Sequence, residues 1–246
     1  MPAWLAPLLA APFVGSFLGV LIRRLPSRQP VALARSVCST CGHRLGPAEL
    51  VPFASFLLQR GRCRACRQPI GWFHPGIEAA ALAVAASALL APDDGARLWP
   101  GCLLGWTLLA LAWIDWEHFL LPDLLTLPLL LAGLGVAIAR GDATEAALGA
   151  AFGYLGLRAV ALLYRALRGR DGLGGGDAKL LAAAGAWLGA AALPGVVFWA
   201  AVFGLTLALL RRPGPLTATL AVPFGPALAL AIWLAWLWPR LVLLAA

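Results

Sequence analysis

Apolar residues run along this chain in long blocks separated by short polar stretches. About 20 consecutive apolar residues suffice for a helix to cross the hydrocarbon of a bilayer, so each long block predicts a membrane span. The first predicted span covers 3–22, and a polar region follows over 23–74. The second covers 75–90 and leads to a loop with Asp93, Asp94 and Arg97. The third covers 98–114, with a short polar stretch at 115–119 before a fourth that ends near Ala139. A loop at 140–145 precedes a fifth span ending near Tyr164, and a loop rich in glycine and charge fills 165–177. The sixth and seventh spans cover 178–193 and 195–210. Arg211, Arg212 and Pro213 separate the seventh from an eighth span at 220–238. The pattern predicts an all-α polytopic membrane bundle of about eight transmembrane helices with one small polar insert. The expected organisation is a first transmembrane helix at 1–22, the insert at 23–74 and a membrane core at 75–246.

Composition agrees with a bilayer as the solvent. Apolar residues make up 61% of the chain and charged ones only 12%, against about half and a quarter in soluble domains. The net charge is +8, and Lys179 is the only lysine. The positive residues are unevenly placed. Arg23, Arg24, Arg28, Arg35, Arg44, Arg60, Arg62, Arg64, Arg67, Arg165, Arg168, Arg170, Lys179, Arg211 and Arg212 fall in loops on one side of the eight expected crossings, and only Arg97, Arg140 and Arg240 fall on the other. Such an excess marks the cytoplasmic side, which leaves the N-terminus outside. The arginines of the first span follow its apolar stretch instead of preceding it, unlike a cleaved signal peptide. No basic helix or aromatic platform accompanies the arginines, so no nucleic-acid partner is expected.

Four of the five cysteines form two pairs in the insert, Cys38-Ser-Thr-Cys41 and Cys63-Arg-Ala-Cys66. Each CxxC can turn two thiolates onto one metal, and two such knuckles complete the closed tetrahedral shell of structural Zn2+. A reducing cytoplasm disfavours disulfides, and a redox pair is the rival reading. Four thiolates leave no open position, so the metal is expected to staple an insert too small to build its own core. Cys102 sits alone in an apolar run, as a small buried residue would.

The acids are few. Asp115 follows the third apolar run directly, with Glu117 and His118 behind it, and Asp123 opens the fourth. Asp177 follows Gly172, Gly174, Gly175 and Gly176, at an expected helix start that favours its charge. The glycines permit tight turns and close approach of another segment. By the charge topology Asp115 and Asp177 share the cytoplasmic face. Two neighbouring carboxylates push their protonation apart, so one can act as acid while the other acts as base. Such a pair can activate water and protonate a leaving amide nitrogen. Taken singly, each aspartate also reads as a helix cap or an interfacial residue. Asp123 after Pro122 fits a cap region, and Asp171 a solvated loop. A proton-coupled transporter also uses intramembrane acids, although those lie near mid-bilayer. An inactive zinc-stapled membrane scaffold would need neither acid. The residues alone leave these readings open.

Short motifs then recur in a telling order. They are FVGSF at 13–17, IRRLP at 22–26, Cys38 and Cys41, Pro52 and Ser55, RGRCRAC at 60–66, HPGIE at 74–78, Ile114-Asp115, LPD at 121–123, TLP at 126–128 and GGGDAKLLAA at 174–183. In this order they resemble the bacterial type IV prepilin peptidases, also called prepilin leader peptidase/N-methyltransferases, which are GxGD-type aspartic membrane proteases. The match covers residues 13 to about 190 of the chain. It implies that Asp115, favoured over Asp123, pairs with Asp177 as the catalytic dyad, with Gly174, Gly176, Lys179 and Asp123 supporting the site. It implies a prepilin or type II secretion pseudopilin substrate at the bacterial inner membrane. The basic leader would be cut on the cytoplasmic side after a glycine. The new N-terminus would then be methylated from S-adenosylmethionine, with Glu78 in the methyl-transfer or substrate site. Cys38, Cys41, Cys63 and Cys66 would bind zinc. The chain departs from the pattern at Gly19 and Leu50, where Asn often stands, at His74, where Tyr often stands, and inside the first CxxC, which lacks a proline.

Overall fold

The structure, a computed structural model, describes residues 4–31, 35–91, 96–169, 172, 174–211 and 222–240. Asp93, Asp94, Arg170, Asp171, Arg212 and Pro213 lie outside them, as do the first residues of the predicted first and eighth spans. Among the described residues the chain is all-helical. The only β pairing there is two isolated bridges, Val37 with Arg44 and Arg62 with Pro69. The helices are α1 (Leu5–Arg24), α2 (Ala54–Leu58), α3 (Phe73–Ala88), α4 (Leu98–His118), α5 (Asp123–Arg140), α6 (Ala143–Arg168), α7 (Gly175–Leu188), α8 (Leu193–Arg211) and α9 (Gly225–Leu237). Each of the eight predicted spans corresponds to one of these helices, α2 being the extra short turn in the insert. Five of them, α1, α4, α5, α6 and the stretch through α8, are long and apolar enough to cross a membrane. The other three, α3, α7 and α9, have 16, 14 and 13 residues.

Two boundaries differ from the sequence pattern. The third apolar block ends at 114, and α4 continues past it through Asp115 to His118. Charge does not break a helix; the stop comes at Phe119, whose φ is 54°, with Pro122 beyond it. The sixth span was expected to reach 193, but α7 ends at Leu188. Gly189 adopts φ 82°, a short 3-10 turn follows at Ala190–Ala192, and α8 starts at Leu193. Apolarity continues across this break, so hydropathy alone could not mark it.

The chain divides into two compact units between Ala110 and Leu111, inside α4. In the first, α1 packs along α3. A Cβ on Gly15 of α1 would lie 2.6 Å from Glu78 Cα, so a small residue is required for this approach. Trp106 of α4 donates its indole N–H to the Ala81 carbonyl at 2.9 Å. In the second unit α7 is the central helix, packed by α5, α6 and α9. Its residues from Asp177 to Trp187 are nearly all buried, and Trp187 donates to the Leu129 carbonyl of α5 at 2.8 Å. Gly149 of α6 meets Gly185 of α7 backbone to backbone, with no room for a Cβ on either. The outer faces stay apolar: Leu148, Phe152, Leu155, Leu162 and Leu163 of α6 are exposed. A contiguous exposed face of that kind fits lipid contact.

Candidate active site and metal centre

Both aspartates of the expected pair belong to the second unit. Asp115 lies on the last turn of α4 and is 6% exposed; Asp177 lies on the first turn of α7 and is 8% exposed. Each is anchored by the backbone. Gly174 N–H donates to Asp177 Oδ2 at 3.1 Å, so Asp177 satisfies one orphan amide at the start of its own helix. Gly225 N–H, at the start of α9, donates to Asp115 Oδ2 at 2.8 Å. The two carboxylates are near enough for their charges to interact.

The segment after α4 meets the start of α7 directly. A Cβ on Gly176 would lie 2.8 Å from Leu121 Cβ. Here the glycine run serves a close backbone approach beside Asp177. Lys179, two residues after Asp177 on α7, donates to both Asp123 oxygens at 2.6 and 2.7 Å. Asp123 is the first residue of α5, so this ion pair ties α5 to α7 on the site's partly exposed margin. The structure thus brings Asp115, Asp177, Gly174, Gly176, Asp123 and Lys179 together within one unit. It also adds Gly225, which the sequence reading passed over. The signal was present: a glycine between Phe224 and Pro226, at the head of the last apolar run.

The four cysteines and Glu78 belong to the first unit. All four Sγ atoms lie within 4.8 Å of one another. Cys38 Sγ is 3.9 Å from Cys66 Sγ, and Cys41 Sγ is 4.0 Å from Cys63 Sγ. Tetrahedral zinc with bonds of about 2.3 Å requires edges of about 3.8 Å. The two knuckles share one design. Cys38 N–H bonds the His43 carbonyl while Gly42 N–H bonds the Cys38 carbonyl, and Cys63 N–H bonds the Gln68 carbonyl while Arg67 N–H bonds the Cys63 carbonyl. Each knuckle turns through a positive φ, at Gly42 (71°) and Arg67 (60°). Backbone N–H groups of Cys41 and Thr40 pull the Cys38 thiol down to about 6, whereas Cys41 is pushed up to about 11: a backbone hydrogen bond from His43 lowers it, but burial and the neighbouring thiols outweigh that. The donor set, spacing and turn geometry fit one structural metal ion. Beside the knuckles, Gly46 N–H donates to Glu49 Oε2 at 2.9 Å and His43 Nε2 lies 3.3 Å from it, which together hold the Glu49 carboxyl below its usual range.

Glu78 is 5% exposed on α3. Its Oε2 accepts from Phe53 N–H at 2.9 Å. It lines a cavity of about 520 Å³ together with Ser16, Arg23, Phe56 and His74. Gly19 faces His74, so the departures from the family pattern at these two positions lie against each other.

Comparison with known proteins gives matches across both units. A family model described as Bacterial Peptidase A24 N-terminal domain matches residues 9–91, and one described as Type IV leader peptidase family matches residues 102–209. The chain is similar to the prepilin leader peptidase/N-methyltransferase of Aeromonas hydrophila, 40% identical over 260 residues that cover 92% of this chain and 87% of that protein. It is similar to the protein of the same name from Burkholderia pseudomallei, 43% identical over 88% of this chain and 79% of the relative. The Pseudomonas aeruginosa counterpart is 37% identical over 95% of this chain and 90% of its own length. No solved structure matches.

Proposed function

The chain belongs to the type IV leader peptidase family, and we propose that it cleaves the leader of a prepilin or pseudopilin with Asp115 and Asp177 as its catalytic pair. The observation that supports this most is the pair itself: two buried acids in one unit, each held by one backbone N–H through Oδ2. Among the described residues no hydrogen bond reaches the Oδ1 of either, which leaves those atoms for water and substrate. One carboxylate takes a proton from water as its oxygen attacks the carbonyl carbon of the leader's last glycine. The other, protonated, gives its proton to the amide nitrogen as the C–N bond breaks. The products are a leader carboxylate and a new N-terminal amine. Burial of both acids excludes bulk water and strengthens their mutual influence. The arginine asymmetry favours cleavage on the cytoplasmic side of the inner membrane, where a basic leader is presented.

Asp115→Asn and Asp177→Asn are each expected to abolish processing of a co-expressed prepilin, read as retention of the longer form on a gel. Processing by either variant would remove that residue from the pair.

The second activity in the relatives' name is methylation of the new amine. S-adenosylmethionine would supply the methyl group. The cavity beside Glu78 is large enough for such a ligand, and it pairs a buried carboxylate with Arg23, suited to a ligand carrying both signs of charge. Glu78 would orient a cationic or amine group there. Glu78→Gln is expected to abolish methylation while leaving cleavage intact, measured by the mass of the mature N-terminal peptide; a fully methylated product would remove Glu78 from that site. Cys38, Cys41, Cys63 and Cys66 would hold Zn2+ as a staple, since their closed shell offers no position for substrate.

A further inference from the structure

Asp115 sits at the C-terminal end of α4, yet it caps a different helix. α9 begins at Gly225 with Phe224 in the cap position, and Phe224 makes no side-chain cap hydrogen bond. Pro226 follows and has no N–H to offer. The Gly225 N–H is directed instead at Asp115 Oδ2, 110 residues away in sequence, at 2.8 Å in a buried setting. The approach leaves no slack. A Cβ on Gly225 would stand 2.7 Å from Asp115 Oδ2, 2.9 Å from its Cγ and 3.0 Å from its Cβ. Asp115 is buried, and the 3.0 Å approach is to its Cβ, which no side-chain rotation moves. The three atoms nearest the missing Cβ all belong to the aspartate.

We propose that Gly225 is a positioning residue for the peptidase: its N–H fixes the rotamer of Asp115, and its missing side chain makes the space in which that carboxylate lies. The N-terminus of α9 is thereby part of the active site. The hydrogen bond occupies Oδ2 and so presents Oδ1 to the reacting groups. It also places the positive end of the α9 dipole against the carboxylate. This inference rests on Asp115 being catalytic, and it goes further by adding a third element to the site.

The test uses the full chain in lipid nanodiscs with a purified prepilin. Gly225→Ala inserts the methyl group that the geometry forbids. A second variant replaces Gly225 by glycolic acid during cell-free synthesis, which turns the amide into an ester, adds no atom, removes the N–H and weakens the Phe224 carbonyl that accepts from the Leu228 N–H. Displacement of a catalytic group by about 1 Å can lower the rate about 100-fold. Both variants are expected to lower kcat at least about tenfold with KM unchanged, and with thermal unfolding and methylation of a pre-cleaved pilin as in the wild type. Gly204→Ala is the control: its added carbon meets Phe224 and Ala227 no nearer than 3.6 Å, and cleavage is expected to be unchanged. Wild-type kcat in the ester variant overturns the proposal. So does a loss of stability or methylation that parallels the loss of cleavage, since that describes a structural cap only. The underlying reading fails separately, through an active Asp115→Asn protein.

Discussion

At the scale of residues, the site is organised by backbone donors. Asp115 and Asp177 each give one oxygen to an amide, Gly225 and Gly174 respectively, and each amide is at a helix start. The contact with α9 requires glycine at 225, and the close approach of Leu121 requires it at 176 beside Asp177. The ion pair of Lys179 with Asp123 is of another kind. Its side chains are 33% and 56% exposed, and pairs in that setting contribute at most about 1 kcal/mol. Lys179→Met is expected to leave the fold intact, lower the unfolding free energy by under ~1 kcal/mol and slow cleavage only several-fold. The double exchange Lys179→Asp with Asp123→Lys is expected to recover most of the loss in a double-mutant cycle. A complete loss of cleavage in Lys179→Met would show that the lysine touches substrate.

At the scale of elements, the second unit is built around α7, a short helix wrapped by α5, α6 and α9. At 1.5 Å per residue its 14 residues extend about 21 Å, less than the roughly 30 Å of a bilayer core. α6 is the long counterpart, with 26 residues, an acid in its first turn and Arg165 and Arg168 in its last. It is expected to cross the membrane completely. Cysteines placed at the exposed ends, Thr144→Cys and Arg168→Cys, are expected to react with an impermeant thiol reagent from opposite sides, with Arg168→Cys reached from the cytoplasm. Labelling of both from one side would rule out a crossing by α6.

At the scale of the whole molecule, the chain consists of two compact units with separate chemistry. The metal knuckles and the Glu78 cavity belong to the first, and both aspartates to the second. The staple should therefore matter to one unit more than the other. Removing the metal with a chelator is expected to release about one Zn2+ per chain, as four thiolates around one ion require. It is also expected to expose the segment from Val37 to Ile70 to protease, while amide protection in α6 and α7 persists. Metal analysis that finds no zinc in the purified protein would overturn the staple reading. Equal loss of protection in both units would show that the second depends on the first.

Sequence by itself determined much of this protein. The length of its apolar blocks dictated helices in a bilayer, because a helix is the one element that satisfies its backbone there within a single segment. Spacing alone identified the four thiols, since a CxxC turn brings its own two ligands together, and motif order singled out Asp115 and Asp177 in advance of any coordinates. Local pattern left two features unmarked: the turn at Gly189 inside an apolar run, and the length by which α4 continues past its apolar block through Asp115. Tertiary structure alone decided which groups meet. The Gly225 amide reaches Asp115 across 110 residues, and Gly176 lies on Leu121, because helix packing sets those contacts and no periodicity along the chain encodes them. The aspartates that hydropathy placed at helix ends became a buried pair only when α4, α7 and α9 came together around them.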